Sequence, residues 1–136
     1  MDNKLSAKKL SLNVWMGDLR HSTLGRHSTV APVGIGYLAS FAQAQHGVNT
    51  LNFEFFVDPD ELLKSLEDEQ PDVLALSNYV WNSELSNLVF KHVRKHWPDI
   101  ITVAGGPDIP QEEQAWESFL QERPHLDFYV IREGEV

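Results

Sequence analysis

The sequence contains no cysteine. That excludes disulfides, thiolate zinc sites, cysteine nucleophiles and thiolate ligation of an iron–sulfur cluster within this segment. Positive charge is scarce: 11 Lys and Arg stand against 20 Asp and Glu, for a net charge of −9. Such a field repels phosphate backbones, so nucleic acid is not expected as a partner. No Lys/Arg run or basic amphipathic stretch is present to meet a membrane surface. Residues 1–9 are polar and lack the apolar centre of a signal peptide. No run approaches the ~20 apolar residues of a membrane-spanning helix. These absences together predict a soluble cytoplasmic domain.

What is present is enough for an ordinary core. Hydrophobic residues make up 42% of the chain, with seven Phe, four Trp and three Tyr. At 136 residues the chain reads as one domain, able to bury roughly two thirds of its unfolded surface. Strand-like and helix-like patterns alternate, which predicts a doubly wound α/β architecture. Strands are expected over 10–15, 48–56, 73–76, 100–104 and 126–131. Helices are expected from Pro32 to Gly47, from Asp58 and Pro59 to about 70, from Asn82 or Ser83 to Trp97, and over about 111–121. Pro32 suits a first helical turn, Gly47 a left-handed stop, and Asp58 an N-cap. Leu85, Leu88, Val89 and Val93 share one helical face.

These elements predict a flavodoxin-like sheet of five parallel strands in the order 2-1-3-4-5, in three layers, without a final helix. With right-handed crossovers, helices two to four cover one face and helix one stands alone on the other. Apolar sheet would then be left exposed, and such patches usually meet a partner. Together with the ending at Arg132-Glu133-Gly134-Glu135-Val136, just past the fifth strand, this predicts the N-terminal part of a longer protein.

Two motifs sit at the ends of apolar strands. Leu74-Ala75-Leu76-Ser77-Asn78-Tyr79 is followed, one helix later, by Ile101-Thr102-Val103-Ala104-Gly105-Gly106-Pro107. In an open parallel sheet, ligands bind in the crevice beyond the carboxyl ends of the strands. A small hydroxyl at one strand end and two residues without side chains at the next leave room for a bulky group. Gly105 and Gly106 allow close approach of backbone, and Ser77 offers a hydrogen bond in little volume. Free amides at the starts of helices three and four would favour a phosphate. His92 and His96 lie one helical turn apart but have no third ligand on that helix, so a solvated face is expected.

The segment Ser77-Asn78-Tyr79-Val80-Trp81-Asn82, the Gly105-Gly106-Pro107-Asp108 turn, the terminal Gly134-Glu135 and the helix Pro32-Val33-Gly34-Ile35-Gly36-Tyr37-Leu38-Ala39 resemble the N-terminal cobalamin-binding domain of class B radical SAM enzymes. The resemblance implies that Ser77, Tyr79, Trp81, Gly105, Gly106, Pro107, Val33, Gly34 and Gly134 bind the cofactor. Ser77 and the glycines would flank its nucleotide tail, and Tyr79 and Trp81 its corrin edge. It also implies a downstream radical SAM barrel holding a 4Fe-4S cluster and S-adenosylmethionine, with methyl transfer, cyclisation or rearrangement as the reaction. Cobalamin domains of the methionine synthase type carry Asp-x-His-x-x-Gly at the start of the first helix, with that His ligating cobalt. Ala31 stands at the equivalent place here, so no catalytic residue and no protein metal ligand is expected. Two other readings share the fold class. One is an FMN-binding electron carrier using the hydroxyl-rich loop over 22–29; the other is a degenerate α/β module that binds only protein.

Overall fold

The structure is a computed structural model that describes residues 11–21 and 32–134. Its elements alternate as β1 (Leu12–Gly17), α1 (Val33–His46), β2 (Leu51–Phe56), α2 (Pro59–Asp68), β3 (Val73–Ser77), α3 (Ser83–His96), β4 (Ile101–Gly105), α4 (Trp116–Gln121) and β5 (Phe128–Val130). All strand pairs are parallel, in the expected order β2-β1-β3-β4-β5. The chain therefore reverses its direction of winding between β1 and β3, which places a switch point at their carboxyl ends.

The two faces of the sheet are covered unequally. On one face Trp15, Leu74, Leu76 and Ala104 pack with Leu62 and Leu66 of α2 and Val89, Phe90 and Val93 of α3. On the other, Val14, Met16, Phe53 and Ala75 pack against Ile35, Leu38 and Ala39 of α1 alone. Strand alternation puts Ile101, Phe128 and Val130 on this second face, where all three are exposed. The expected asymmetry of the layers is present.

Local chemistry accounts for most element boundaries. The Asp58 carboxylate accepts the Asp60 N–H at 2.8 Å, capping α2, with Pro59 at its first position. Gly47 closes α1 at φ +90°, and the Thr50 N–H then turns back to the Gly47 carbonyl. That turn delays β2 to Leu51, three residues later than expected. β1 runs on to Gly17 because Met16 is buried under α1 and Gly17 pairs with both Phe56 and Leu76. Its expected first residue, Leu10, lies outside the described residues. β3 and β4 each extend one residue further, to Ser77 and Gly105, which pair with each other.

The fourth helix departs most from expectation. Glu113–Ala115 forms a single 3₁₀ turn and α4 spans six residues. Gln111, Glu112, Glu113 and Gln114 have no apolar face to bury, so helix begins only where Trp116 anchors its indole N–H to the Pro110 carbonyl. β5 is shorter too, since Asp127 sends its carboxylate back to the Thr102 N–H. In α3 the buried stripe is Ser86, Val89, Phe90 and Val93, whereas Leu88 faces solvent. Among the described residues no helix is long and apolar enough to cross a membrane.

Candidate functional site

A cleft of 330 Å³ opens between the first turns of α1 and the carboxyl edge of the sheet. Its size falls at the lower end of the ~300–1,000 Å³ common for small-molecule sites. Ala75, Val103, Met16 and Leu38 give it an apolar floor, and Val130 borders it on the β5 side. At its centre Ser77 and Gly105 are register partners on adjacent strands, so both address the same face. No side chain rises from position 105, and that gap is what makes the floor a hollow. A Cβ added there would sit in ordinary contact with Val130, 3.4 Å away.

The next residue is held by backbone. Gly106 has φ +138°, and a Cβ on it would lie 2.5 Å from the Asn78 carbonyl oxygen. Only glycine fits this crossing. The crossing is fastened on several sides: the Asn78 N–H donates to the Gly105 carbonyl at 2.7 Å and the Asp108 N–H to the Asn78 carbonyl at 3.1 Å. The Tyr129 hydroxyl donates to the Gly106 carbonyl at 2.7 Å and accepts from the Asn78 side-chain amide at 3.1 Å. Burial pushes the Tyr129 pKa up, so this donor keeps its proton.

A polar wall closes the β1 side. The Ser77 hydroxyl donates to Asp18 Oδ1 at 2.8 Å, and the buried Asn82 amide donates to Ser77 Oγ and to the Leu19 carbonyl, each at 3.1 Å. Asn82 Oδ1 in turn accepts the Tyr79 N–H at 2.8 Å. The N–H groups of Asn82 and Ser83 are both spent on the Tyr79 carbonyl.

Of the residues singled out by sequence, Ser77, Tyr79, Gly105, Gly106, Gly34 and Gly134 line the cleft. Gly34 leaves open space facing the Tyr79 hydroxyl, and Gly134 lies against Leu38, whose Cδ2 would be 2.5 Å from an added Cβ. Val33, Trp81 and Pro107 do not line it. Val33 is 56% exposed on the first turn of α1, and Pro107 is exposed beyond the Gly106 crossing. Trp81 is 63% exposed and lies flat on Tyr79, with ring centres 4.5 Å apart and planes 5° from parallel. It is a rim residue, carried by the cleft-lining Tyr79.

Asp18, Met16, Arg132 and Glu133 also line the cleft and were not anticipated. Asp18 has a readable signal: it is a carboxylate at the switch point, one residue past β1, concealed by ending that strand two residues early. Arg132 adopts a left-handed backbone, φ +64°, and reaches Glu113 at 3.7 Å in solvent, a pairing worth little. Among the described residues no group of three or more His, Cys, Asp or Glu is placed to hold a metal ion, and no histidine lines the cleft. Ala31, His27, the 22–29 loop, Glu135 and Val136 lie outside the described residues.

An open parallel sheet with a hollow beyond its switch point is the setting in which the comparisons with known proteins fall. The B12 binding domain family model matches residues 24–136. The chain belongs to that family. It is 35% identical, over 110 residues, to the 2-(S-pantetheinyl)-carbapenam-3-carboxylate methyltransferase of Streptantibioticus cattleyicolor, covering 77% of this chain and 15% of the relative. It is 42% identical, over 67 residues, to the cobalamin-dependent radical SAM methyltransferase TokK of Streptomyces tokunonensis, covering 49% of this chain and 9% of the relative. The chain thus corresponds to a small part of these longer proteins. In fold it is similar to a cobalamin-binding protein from Desulfitobacterium hafniense, with a TM-score of 0.62 at 9% identity, over 92% of this chain and 55% of that one. This B12-binding domain has the sheet order expected from sequence.

Proposed function

We propose that this B12-binding domain seats the nucleotide tail of cobalamin in the cleft between Ser77 and Gly105, as the cofactor-holding part of a longer, cytoplasmic radical SAM methyltransferase. The observation that carries the placement is the register pairing of Ser77 with Gly105 over an apolar floor that no side chain plugs. The residues present fit the group. A planar, largely apolar base needs a slot with a polar end, and the hollow has Ala75 and Val103 beneath it and Ser77 at one side. Gly106 and Gly34 let backbone approach closely, while Tyr79, backed by Trp81, offers a flat surface at the rim for the edge of a large ring.

When bound, cobalamin supplies the one-carbon carrier for methyl transfer. This chain's own residues bind, orient and shield. The Asn78–Gly106–Tyr129 lock keeps the β3 and β4 ends at fixed separation, and the Asp18–Ser77–Asn82 wall fixes the hydroxyl. With no cysteine in the sequence, a 4Fe-4S cluster and its S-adenosylmethionine would be held by a barrel domain elsewhere in the protein. The chain by itself then turns over no substrate.

Mixing the protein with hydroxocobalamin or with FMN, then desalting and recording the visible spectrum, tests the reading. Retained corrin bands are expected; retained flavin, or neither, overturns it. Gly105→Val places two methyl groups in the hollow and is expected to weaken cobalamin binding about a hundred-fold, or roughly 2.7 kcal/mol. Undiminished affinity in that variant moves the tail to another place.

A further inference from the structure

The cleft carries an unbalanced set of charges. Among the described residues that line it there are two carboxylates, Asp18 and Glu133, and one cation, Arg132. The whole chain has a net charge of −9, so an anion nearing the mouth is repelled unless a fixed cation meets it there. Arg132 stands just past β5 at the lip, with its side chain 73% exposed. Its backbone is left-handed, φ +64°, a conformation that costs an arginine energy and that glycine or asparagine takes more readily. Its ion-pair partner Glu113 is also exposed and 3.7 Å away, too loose to hold the guanidinium against a competing anion. The guanidinium fork is therefore available to an oxyanion at the lip.

We infer that Arg132 binds the phosphodiester of the nucleotide tail at the mouth of the cleft. The inference rests on the proposal that the tail enters here, and the covalent order of the tail then places the phosphate. The phosphate lies between the side arm of the corrin and the ribose that carries the base. With the base on the floor over Ala75 and Val103 and the corrin outside at the Tyr79 rim, the phosphate falls between them, at the lip. A phosphodiester keeps one negative charge and two free oxygens, which match the paired N–H groups of a guanidinium. Asp18 follows β1 and Arg132 follows β5, three strand spacings or about 14 Å apart. The anion therefore sorts to the β5 side, away from the Asp18 carboxylate. Glu133, next to Arg132, opposes it and keeps the gain modest.

Equilibrium dialysis of the full chain against three corrinoids separates the parts of the tail: cobalamin, cobinamide phosphate, which ends at the phosphate, and cobinamide, which lacks it. The wild-type chain is expected to bind cobinamide phosphate about ten-fold more tightly than cobinamide. Arg132→Asn should weaken cobalamin and cobinamide phosphate by about ten-fold each and leave cobinamide within about two-fold of wild type. Its melting temperature should hold, because asparagine tolerates the left-handed backbone. Arg132→Lys keeps the charge without the fork and should lose about three-fold. Lys64→Asn, on the exposed side of α2 across the sheet, changes the net charge equally and should leave all three affinities within about two-fold, which separates a contact from the general field. Arg132→Gly, free at φ +64°, serves if Arg132→Asn does not fold. Unchanged affinities, equal losses for all three corrinoids, a loss confined to cobalamin, or a matching loss in Lys64→Asn each overturns the role of Arg132. So does a wild-type chain that binds cobinamide phosphate no better than cobinamide. A wild-type chain that retains no cobalamin overturns the placement of the tail itself, a separate result visible before any variant is made.

Discussion

Two small polar clusters sit at opposite ends of the central strands, and both are built around a hydroxyl facing a carboxylate. At the amino ends, Thr102 is completely buried. Its hydroxyl donates to the His125 carbonyl at 2.7 Å and accepts from Arg94 at 3.0 Å and from the Asp127 N–H at 3.1 Å. The Asp127 carboxylate takes the Thr102 N–H at 2.9 Å and the Arg94 guanidinium at 2.6 Å. Every valence of Thr102 oxygen is used, and the cluster does nothing but fasten β5 and α3 to β4. At the carboxyl ends Ser77 keeps a lone pair, and it keeps it beside a cleft. A satisfied buried hydroxyl is a structural device, whereas one left short by a single bond beside an open hollow is available to a ligand.

That distinction is sharpest where stability and binding come apart. The largest stability effect is expected at the carboxyl end, but from backbone. Gly106→Ala puts a methyl group against the Asn78 carbonyl at a left-handed φ and should cost about 3 kcal/mol in urea unfolding. A loss below about 1 kcal/mol would mean that the crossing is pliable and that the hollow is not preformed. Asp127→Ala comes next. It orphans the buried Thr102 N–H and leaves Arg94 unpaired at the amino end, for about 2 kcal/mol after discounting the solvent-exposed part of the ion pair. Cobalamin affinity per folded molecule should stay at the wild-type level, because this cluster lies at the far end of the strands from the cleft. Reduced affinity in a folded Asp127→Ala protein would erase the division between a fastening end and a binding end.

How much of this was legible in sequence follows the same division. The sheet order, the layers and the strand-end pairing of Ser77 with Gly105 could be read because they depend on patterns that span whole elements. Apolar runs of four or five residues set central strands, and a hydroxyl or a glycine at the end of such a run can be located by counting. Element ends were less legible. β1 ends at Gly17 because of what Phe56 and Leu76 do across the sheet, and no local propensity in Met16-Gly17-Asp18 announces that. Asp18 was missed for the same reason: its role depends on which side of the strand end it falls. The stacking of Trp81 was likewise not legible: the turn 79–82 lays its ring flat on Tyr79, outside the cleft lining. Gln111 to Gln114 read as helix by composition, but a helix needs a face to bury, and four consecutive polar residues have none.

The smallest expected effect tests whether the amino-end cluster is purely structural through a change in pH. His125 is buried, with its ring Nε2 3.0 Å from Asn87 Oδ1 and its carbonyl on Thr102. Burial first, then the nearby Lys91, Arg123 and Arg94, lower its pKa from the ordinary 6.5. The unfolded chain therefore takes up this proton at a higher pH than the folded chain does, and stability rises with pH across that interval. On going from about pH 7.5 to about pH 5.5 the melting temperature should fall by on the order of 3 °C, with His125→Gln removing most of the difference. Asp127, in the same cluster, adds nothing in that range. Burial alone would raise its carboxyl, but the Thr102 N–H and then Arg94 outweigh it and hold the pKa below 3.8, so its contribution is lost only in stronger acid. If His125→Gln kept the full pH slope, the titrating group would lie outside the amino-end cluster. The buried histidine would then be a packing residue over Phe90, 6.5 Å between ring centres, with its protonation uncoupled from the fold.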